Sequence, residues 1–401
     1  MKVLQINAVS GIRSTGRICV EISDYLSKNG DKGYIAYSGG IPYKKGYKIG
    51  TPFEIKLHGL FSRIFGLQTY FSRKGTRKLL NYMDDLKPDV VHLHNLHANY
   101  INLKLLLTYL AEHDVPTVLT LHDCWFYTGK CCHYTIQNCF KWQSECFDCP
   151  RIHKDNPSWF LDRTKKMYRN KKEWFGKIPR LAVVGVSDWI TNEARMSFLS
   201  SAKILTRIYN WIDIEVFKPV NTDELRHKLG LENKFIVLAV ASGWSNNKGL
   251  DKIIDLAGKI PEDMKIILVG NMRKSVNLPG NIIHIEETHN VNKLVEYYSM
   301  ADVFINLSLE ETFGKVTAEA LACGTPVIVI KSTANPELVG EKCGYVLEEI
   351  NITDLLNILL KVRENKKEYY SEYCKDFAYR NFNIHYRLTE HTDIYKEIIG
   401  S

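Results

Sequence analysis

Short apolar runs alternate with helix-forming stretches twice along this chain, and that rhythm limits its fold more than any other feature. The first series is Val3 to Ala8, Asp89 to Leu93 (DVVHL), Thr117 to Leu121 (TVLTL) and Leu181 to Val186 (LAVVGV). The second begins at Phe235 (FIVLAVAS) and continues from Lys265 (KIILVG), Asn281 (NIIHI), Asp302 (DVFINLS) and Pro326 (PVIVI). Runs without polar alternation suit strands covered on both faces, which is the state of a parallel sheet between helices. Strands separated by amphipathic stretches, such as Ile18 to Lys28, predict βαβ units. The fold class is therefore α/β with two Rossmann-like domains, for which 401 residues suffice. A junction near Asn210 to Pro219 predicts a first domain over 1–212 with a cysteine-rich insert at 124–149, a second over 213–378, and a C-terminal helical segment over 379–401.

Composition excludes little beyond extremes. A hydrophobic fraction of 45% with 24% charged residues is that of a globular protein. No stretch approaches the eighteen apolar residues of a membrane span. The first residues, MKVLQINAVS, read as a strand rather than a signal peptide, so a cytoplasmic location is expected. The formal net charge of +8 favours an anionic partner without choosing among nucleic acid, phospholipid and nucleotide sugar.

The chemistry concentrates in Ala301 to Ile330, ADVFINLSLEETFGKVTAEALACGTPVIVI. This reads as strand, loop, helix and strand, with Glu311 in the loop and Glu319 in the helix. Phe313, Gly314 and Lys315 lead into the helix, whose unpaired N–H groups form an anion site. Ionised carboxylates only accept hydrogen bonds, and sugar hydroxyls can donate them. Phosphate plus polyol suggests a nucleotide sugar. Two solvated surface glutamates would show the same spacing.

With its Phe-Gly after the first acid and Glu-Ala-Leu-Ala-Cys-Gly-Thr-Pro-Val after the second, this stretch resembles the E-x7-E signature of retaining glycosyltransferases of family 4. That resemblance implies the GT-B fold, in which the two domains face a central cleft and a C-terminal helix crosses back to the first. It also implies that Glu311 contacts donor-sugar hydroxyls, Glu319 the ribose, and Lys248 in SGWSNNKG the diphosphate. Where many members carry an arginine, this chain has Trp244, which removes half of a cationic pair. Ser242 and the helix start at Phe313, Gly314, Lys315 and Val316 complete the expected donor site. The loop GIRSTG, between the first strand and first helix, adds Gly16, with Arg13 and Arg17 as further cations. His122, at a strand exit (TLHDCW), matches a family position beside the donor sugar. The segments HLHNLH, TLHDCWFYTGKC and CFKWQSECFDCP are similar to a bacterial subgroup tied to colanic-acid-type and capsular polysaccharide synthesis. His94, Asn95, His97 and Asp123 are acceptor-side candidates, because ligands of open α/β sheets bind at the carboxyl ends of strands.

Two segments point to a surface partner. Residues 56–80 carry six Lys or Arg and no acid, with Leu57, Leu60, Phe61 and Ile64 at helical spacing. Residues 159–180 carry eight Lys or Arg among Trp159, Phe160, Trp174 and Phe175. This is the composition of helices lying on an anionic membrane, and equally of core-facing helices with a solvated basic face. The membrane reading implies a lipid-linked acceptor and a peripheral position on the inner face of the cell membrane. Cys131, Cys139, Cys146 and Cys149 are spaced C-x7-C-x6-C-x2-C, half of which is a usual thiolate zinc motif. Structural zinc, reduced thiols and disulfides are the three states open to them.

The sequence thus predicts a retaining transferase that moves a hexose-type sugar from a nucleoside diphosphate sugar to a glycan or lipid-linked acceptor hydroxyl. Without an Asp-x-Asp motif, catalysis is expected to need no cofactor, any zinc being structural, and no nucleic-acid partner is expected. The alternatives are a nucleotide-sugar 2-epimerase of the same fold and a basic, zinc-containing nucleic-acid-binding protein.

Overall fold

The computed structural model describes residues 1–273, 276–286, 288 and 290–401. It divides into two compact domains, Met1–Ile208 with Leu388–Ser401, and Tyr209–Arg387.

The first domain is built on seven parallel strands, β1 (Lys2–Ser10), β2 (Lys32–Gly40), β3 (Gly46–Lys48), β4 (Val90–Leu93), β5 (Thr117–Leu121), β6 (Leu181–Gly185) and β7 (Ile204–Arg207). Their order is β3-β2-β1-β4-β5-β6-β7. Successive connections leave β1 first toward β2 and later toward β4, so the chain reverses its direction of winding between β1 and β4. A crevice forms at the carboxyl ends of strands at such a switch point. The interior strands are covered on both faces, with Val3, Leu4, Ile6, Val90, Val91, Leu93, Leu119 and Val183 fully buried. Gln5 and Asn7 of β1 are equally buried. Polar groups in such a place cost several kcal/mol unless paired, and their partners lie in the site described below.

The second domain repeats the plan with β8 (Phe235–Gly243), β9 (Met264–Asn271), β10 (Ile282–Ile285), β11 (Val303–Asn306), β12 (Val327–Ile330) and β13 (Gly344–Leu347), in the order β10-β9-β8-β11-β12-β13. Its switch point falls between β8 and β11.

The domain boundaries lie at Ile208/Tyr209 and Arg387/Leu388, rather than at 212 and 378. Side-chain packing sets them. Tyr209 packs on Phe313 and Phe382, with ring centroids 5.9 and 5.5 Å away. Ile212 exchanges backbone hydrogen bonds with Phe382 and Ile384 (2.8 and 3.1 Å). Residues 379–387 are thereby tied to the second domain. The rest of the last helix (Ile384–Gly400) belongs to the first, where Tyr395 and Ile398 are buried. Among the described residues no helix is long and apolar enough to cross a membrane.

Candidate active site

The second domain's switch point brings Lys248 and Glu311 together. Strand β8 ends at Gly243 and runs into a short turn, Asn246–Lys248, closed by Gly249 with φ of 77°. A Cβ at Gly249 would lie 2.5 Å from Leu307 Cβ, so the turn packs hard against the segment leaving β11. That contact sets Lys248 Nζ 2.5 Å from Glu311 Oε1. Both side chains are partly open to solvent. The Glu311 main chain is held at both ends, its N–H donating to Thr333 Oγ1 (2.8 Å) and its carbonyl accepting from Ala334 N–H (3.2 Å). Asn306 Nδ2 donates to Thr317 Oγ1 (3.1 Å) and Asn335 Nδ2 to the Ser308 carbonyl (2.9 Å), so buried amides brace the loop between them.

The helix Lys315–Ala322 starts directly after this loop, with Gly314 in the left-handed region at φ 86°. Thr317 N–H bonds back to the Gly314 carbonyl at 2.9 Å, the N–H groups ahead of it have no earlier helical carbonyl to reach, and the dipole favours an anion at that end. Glu319, one turn in, is nearly buried, and its Oε2 accepts from the Tyr298 hydroxyl at 2.9 Å. Lys315 and Val316 are partly exposed at the helix start. Phe313, expected to face a donor, instead has its side chain buried among Tyr209 and Phe382 (5.9 and 5.3 Å). Only its main chain is available. Ser242 is exposed at the end of β8. Trp244 is buried, and its indole N–H has no acceptor among the described residues.

The first domain's switch point has a different chemistry. His92 and His94, two apart on β4, share a face with ring centroids 4.0 Å apart, and both are fully buried. His92 bonds to Tyr395 Oη and Thr120 Oγ1, each at 2.7 Å. His94 bonds through Nε2 to Gln5 Oε1 (3.0 Å) and through Nδ1 to His122 Nε2 (2.9 Å). The direction of this chain follows from its end. Gln5 Nε2 donates to the Cys19 carbonyl and to Ser23 Oγ, both at 2.7 Å, so Gln5 Oε1 must accept. His94 therefore donates from Nε2 and accepts at Nδ1, which makes His122 carry its proton on Nε2 and leaves Nδ1 as its acceptor. Burial lowers the His92 and His94 pKa values well below the usual range and that of His122 to about 4, so the rings are neutral at pH 7.

His94 is thus not an acceptor-contacting residue, since it is sealed between Gln5 and His122; it positions His122. His97 Nε2 lies 3.0 Å from Asp123 Oδ2, and Asp123 Oδ1 accepts from Trp125 N–H at 2.9 Å. Burial opposes ionisation of Asp123, but the His97 ring and the Trp125 N–H outweigh it and hold the carboxyl at about 2. Asn95 N–H donates to Asn7 Oδ1 (3.1 Å), while the Asn95 carboxamide oxygen is buried without a donor among the described residues. Gln5 and Asn7 are the residues missed in the sequence. Their signal was present, as two amides inside an otherwise apolar strand. Tyr298 and Thr333 left no signal, being ordinary residues placed only by packing.

Gly16 lies inside the first helix (Arg13–Lys28), which begins five residues earlier than its periodicity predicts. Gly11 N–H bonds to the Gly16 carbonyl at 3.0 Å, and a Cβ at Gly16 would sit 3.1 Å from Val9 Cγ2. Its smallness serves helix–strand packing. Arg13 and Arg17 are exposed.

The two basic segments differ. The helix Pro52–Phe65 is inverted, with His58, Gly59 and Ser62 buried and Phe53 (74% exposed), Leu57, Leu60 and Phe65 facing solvent. It stops at Gly66 (φ 65°), beside Leu161, and Trp159 N–H bonds to the Arg63 carbonyl at 2.8 Å. Exposed Trp159 and Phe160 (75%) therefore extend the apolar face. The helix Thr164–Phe175 is conventional, burying Met167, Trp174 and Phe175. Lys171, counted among its surface charges, is buried (2% exposed), its Nζ donating to the Trp125 and Thr128 carbonyls (2.6 and 3.1 Å). Cys131, Cys139, Cys146 and Cys149 converge on one small cavity.

Two family models cover the chain in succession. Glycosyltransferase Family 4 matches residues 15–216 and Glycosyl transferases group 1 matches residues 221–381. The putative colanic acid biosynthesis glycosyl transferase WcaC of Escherichia coli (strain K12) is 24% identical over 317 residues, 76% of this chain and 74% of that one. N-acetyl-alpha-D-glucosaminyl L-malate synthase of Bacillus anthracis is 23% identical over 231 residues, 54% of this chain and 60% of that one. Among solved structures, Anabaena HepE in complex with UDP aligns over 99% of this chain and 100% of its own, with a TM-score of 0.69 and 17% identity. WaaG, a glycosyltransferase involved in lipopolysaccharide biosynthesis, aligns over 98% and 99%, with a TM-score of 0.66 and 15% identity. What these structures share with the chain is the fold, two Rossmann-like domains of the GT-B kind.

Proposed function

Since the chain belongs to Glycosyltransferase Family 4 and is a glycosyltransferase, we propose that it moves a hexose-type sugar from a nucleoside diphosphate sugar to an acceptor hydroxyl with retention of anomeric configuration. The acceptor is a lipid-linked or polysaccharide precursor of a cell-surface glycan, in keeping with the colanic acid and lipopolysaccharide roles named for WcaC and WaaG. The donor nucleoside is uridine, by analogy with HepE, whose structures hold UDP and UDP-glucose.

One observation carries this reading: Lys248 and Glu311 paired at 2.5 Å at a switch point, next to the start of the helix that holds Glu319. Lys248 and the helix N-terminus take up the charge that develops on the departing diphosphate, which is electrostatic preorganisation. Glu311 aligns Lys248 and accepts from sugar hydroxyls. Glu319, fixed by Tyr298, accepts from the ribose. His122, kept neutral by burial and positioned by His94, lies beside the donor sugar. The acceptor oxygen bonds to the anomeric carbon on the face from which the phosphate oxygen departs, and the acceptor proton passes to that phosphate. Arg13, Arg17, Lys315 and Val316 are further donor contacts. Asn95, His97 and Asp123 serve the acceptor.

The inverted helix Pro52–Phe65 supports docking on the anionic inner face of the cell membrane. Phe53, Leu57, Leu60, Trp159 and Phe160 are the apolar groups to be buried, and Lys56, Arg63, Lys165 and Lys166 face the headgroups. The Phe53→Ser/Leu60→Ser double variant should lose sedimentation with phosphatidylglycerol vesicles while keeping its melting temperature; retained sedimentation would remove the membrane from the reading.

The deciding experiment is a thermal-shift screen with UDP, GDP, ADP, CMP and their sugars, because a ligand bound only by the folded state raises its melting temperature. UDP and a UDP-hexose should shift it and CMP should not. Product anomeric configuration by NMR then tests retention. A folded protein that responds to no nucleotide overturns the donor assignment.

A further inference from the structure

We propose that Cys131, Cys139, Cys146 and Cys149 bind one zinc ion that staples the insert following β5 onto the first domain. Between Leu121 and Thr164 the chain forms no strand and no α-helix, only the short turns Cys124–Phe126 and Lys141–Gln143. Yet Trp125, Tyr127, Tyr134 and Trp142 within it are fully buried. Segments longer than about 15 residues without regular structure are uncommon in compact domains. One with a packed interior needs a constraint that hydrogen-bond ladders elsewhere provide.

Two of the sulfurs, those of Cys131 and Cys149, stand at the spacing that would supply it, and the ion would draw in the other two, since no three of the four lie within 4.8 Å of one another. All four cysteines line a single cavity of about 20 Å³. That volume is enough to hold a water-sized particle. Cys131 Sγ and Cys149 Sγ are 3.8 Å apart. A disulfide would require about 2.05 Å, whereas tetrahedral zinc with bonds of about 2.3 Å sets its sulfurs about 3.8 Å from one another. Gly129 N–H points at Cys146 Sγ (3.1 Å), the kind of outer hydrogen bond that stabilises a metal-bound thiolate.

The surrounding charges fit as well. Lys141 Nζ holds the carbonyls of Phe147 and Asp148 (3.0 and 3.1 Å), the two residues inside the C-x2-C turn, where Asp148 has a φ of 43°. Lys130 Nζ gathers the carbonyls of Arg151, Ile152 and Lys154 (3.1, 2.8 and 3.0 Å) directly after Cys149. Both lysines line the cavity, and no acid does. Four thiolates around a divalent ion leave an excess of negative charge, and these ammonium groups offset it.

A second cluster competes for the assignment. Ligand atoms of His97, Asp123 and Cys132 all lie within 4.8 Å of one another. There, however, the His97 ring and the Trp125 N–H already occupy both Asp123 oxygens, at 3.0 and 2.9 Å, so the group is satisfied without an ion.

The test is metal analysis of the full chain grown with zinc and purified without chelator. One zinc per chain is expected. Cobalt(II) exchanged into the wild-type protein should give thiolate charge-transfer bands and the intense visible bands of a tetrahedral site, a readout that needs no variant to fold. Cys146→Ser and Cys149→Ser should lose the metal, Cys132→Ser should keep it, and zinc removal should lower the melting temperature by several degrees. Protein with no zinc and no cobalt–thiolate bands overturns the proposal. So does loss of metal in Cys132→Ser with retention in Cys146→Ser, which moves the ion to the His97 cluster. A Cys131–Cys149 disulfide in the alkylated, unreduced chain overturns it too.

Discussion

The two domains wind in the same way, yet their switch points are furnished with opposite chemistry. In the second, Lys248 and Glu311 form a charged pair that stays partly open to solvent, next to the positive end of a helix. In the first, His92, His94 and His122 form a ladder of neutral rings, sealed at its inner end by Gln5. A charged pair in reach of water is suited to a ligand that brings its own charge, such as a diphosphate. A neutral ladder with a fixed proton direction is suited to orienting hydroxyls, where a misplaced charge would be a cost. The same topology thus provides two crevices, and side chains at a handful of strand exits decide what each can hold.

The largest effect should come from the charged crevice. Lys248→Ala and Glu311→Gln should each lower kcat/KM by about 10³-fold, or about 4 kcal/mol, with circular dichroism unchanged. Wild-type turnover in both would remove the distinction between the crevices.

Acid should act mainly on the first domain. Its histidines titrate below their unfolded value of about 6.5, His122 at about 4, so the unfolded chain binds more protons in between. The stability they contribute is complete above pH 6.5 and is lost as the pH falls toward 4, on the order of 3 kcal/mol for His122 alone. Urea unfolding at pH 7.5, 6 and 5 measures it. A flat profile would mean that the rings take up protons in the native protein as they do in the unfolded chain.

Gln5→Leu should sharpen the comparison by releasing the proton direction without touching the charged crevice. A rate lowered about tenfold with the donor KM unchanged is expected. An unchanged rate would make the ladder a structural feature only. The smallest effect is assigned to Tyr298→Phe, which removes one hydrogen bond from Glu319 and should weaken nucleotide binding by about 1 kcal/mol in calorimetry.

Much of this was legible in the sequence. The strand runs of β1, β4, β5, β6, β8, β9, β11 and β12 announced themselves because a strand buried on both faces must be apolar throughout. The edge strands β3, β7 and β13, and β2 beside an edge, did not, since strands that are only partly covered carry polar and glycine residues that read as loop; the edge strand β10 (NIIHI) was apolar enough to stand out. Glu311, Glu319 and Lys248 stood out by local pattern. Phe313 misled, because an aromatic beside a motif serves the core as readily as a ligand. Residues 56–80 and 159–180 looked alike in composition, and only burial separated them. One helix turns His58 and Ser62 inward and its apolar face outward, and the other does the reverse.

By itself, the sequence determined what depends on neighbours along the chain: the alternation that makes two doubly wound domains, the acids eight positions apart around a helix start, and the cysteine spacing of the insert. Tertiary structure alone decided what depends on residues far apart in sequence. Lys248 meets Glu311 across 63 positions and His94 meets Gln5 across 89. Such pairs arise from strand order and from the packing of a glycine against a neighbouring loop. The same amino acids in the same local patterns would be solvated or structural elsewhere, and here burial and contact give them a charge state, a proton direction and a place at a strand exit.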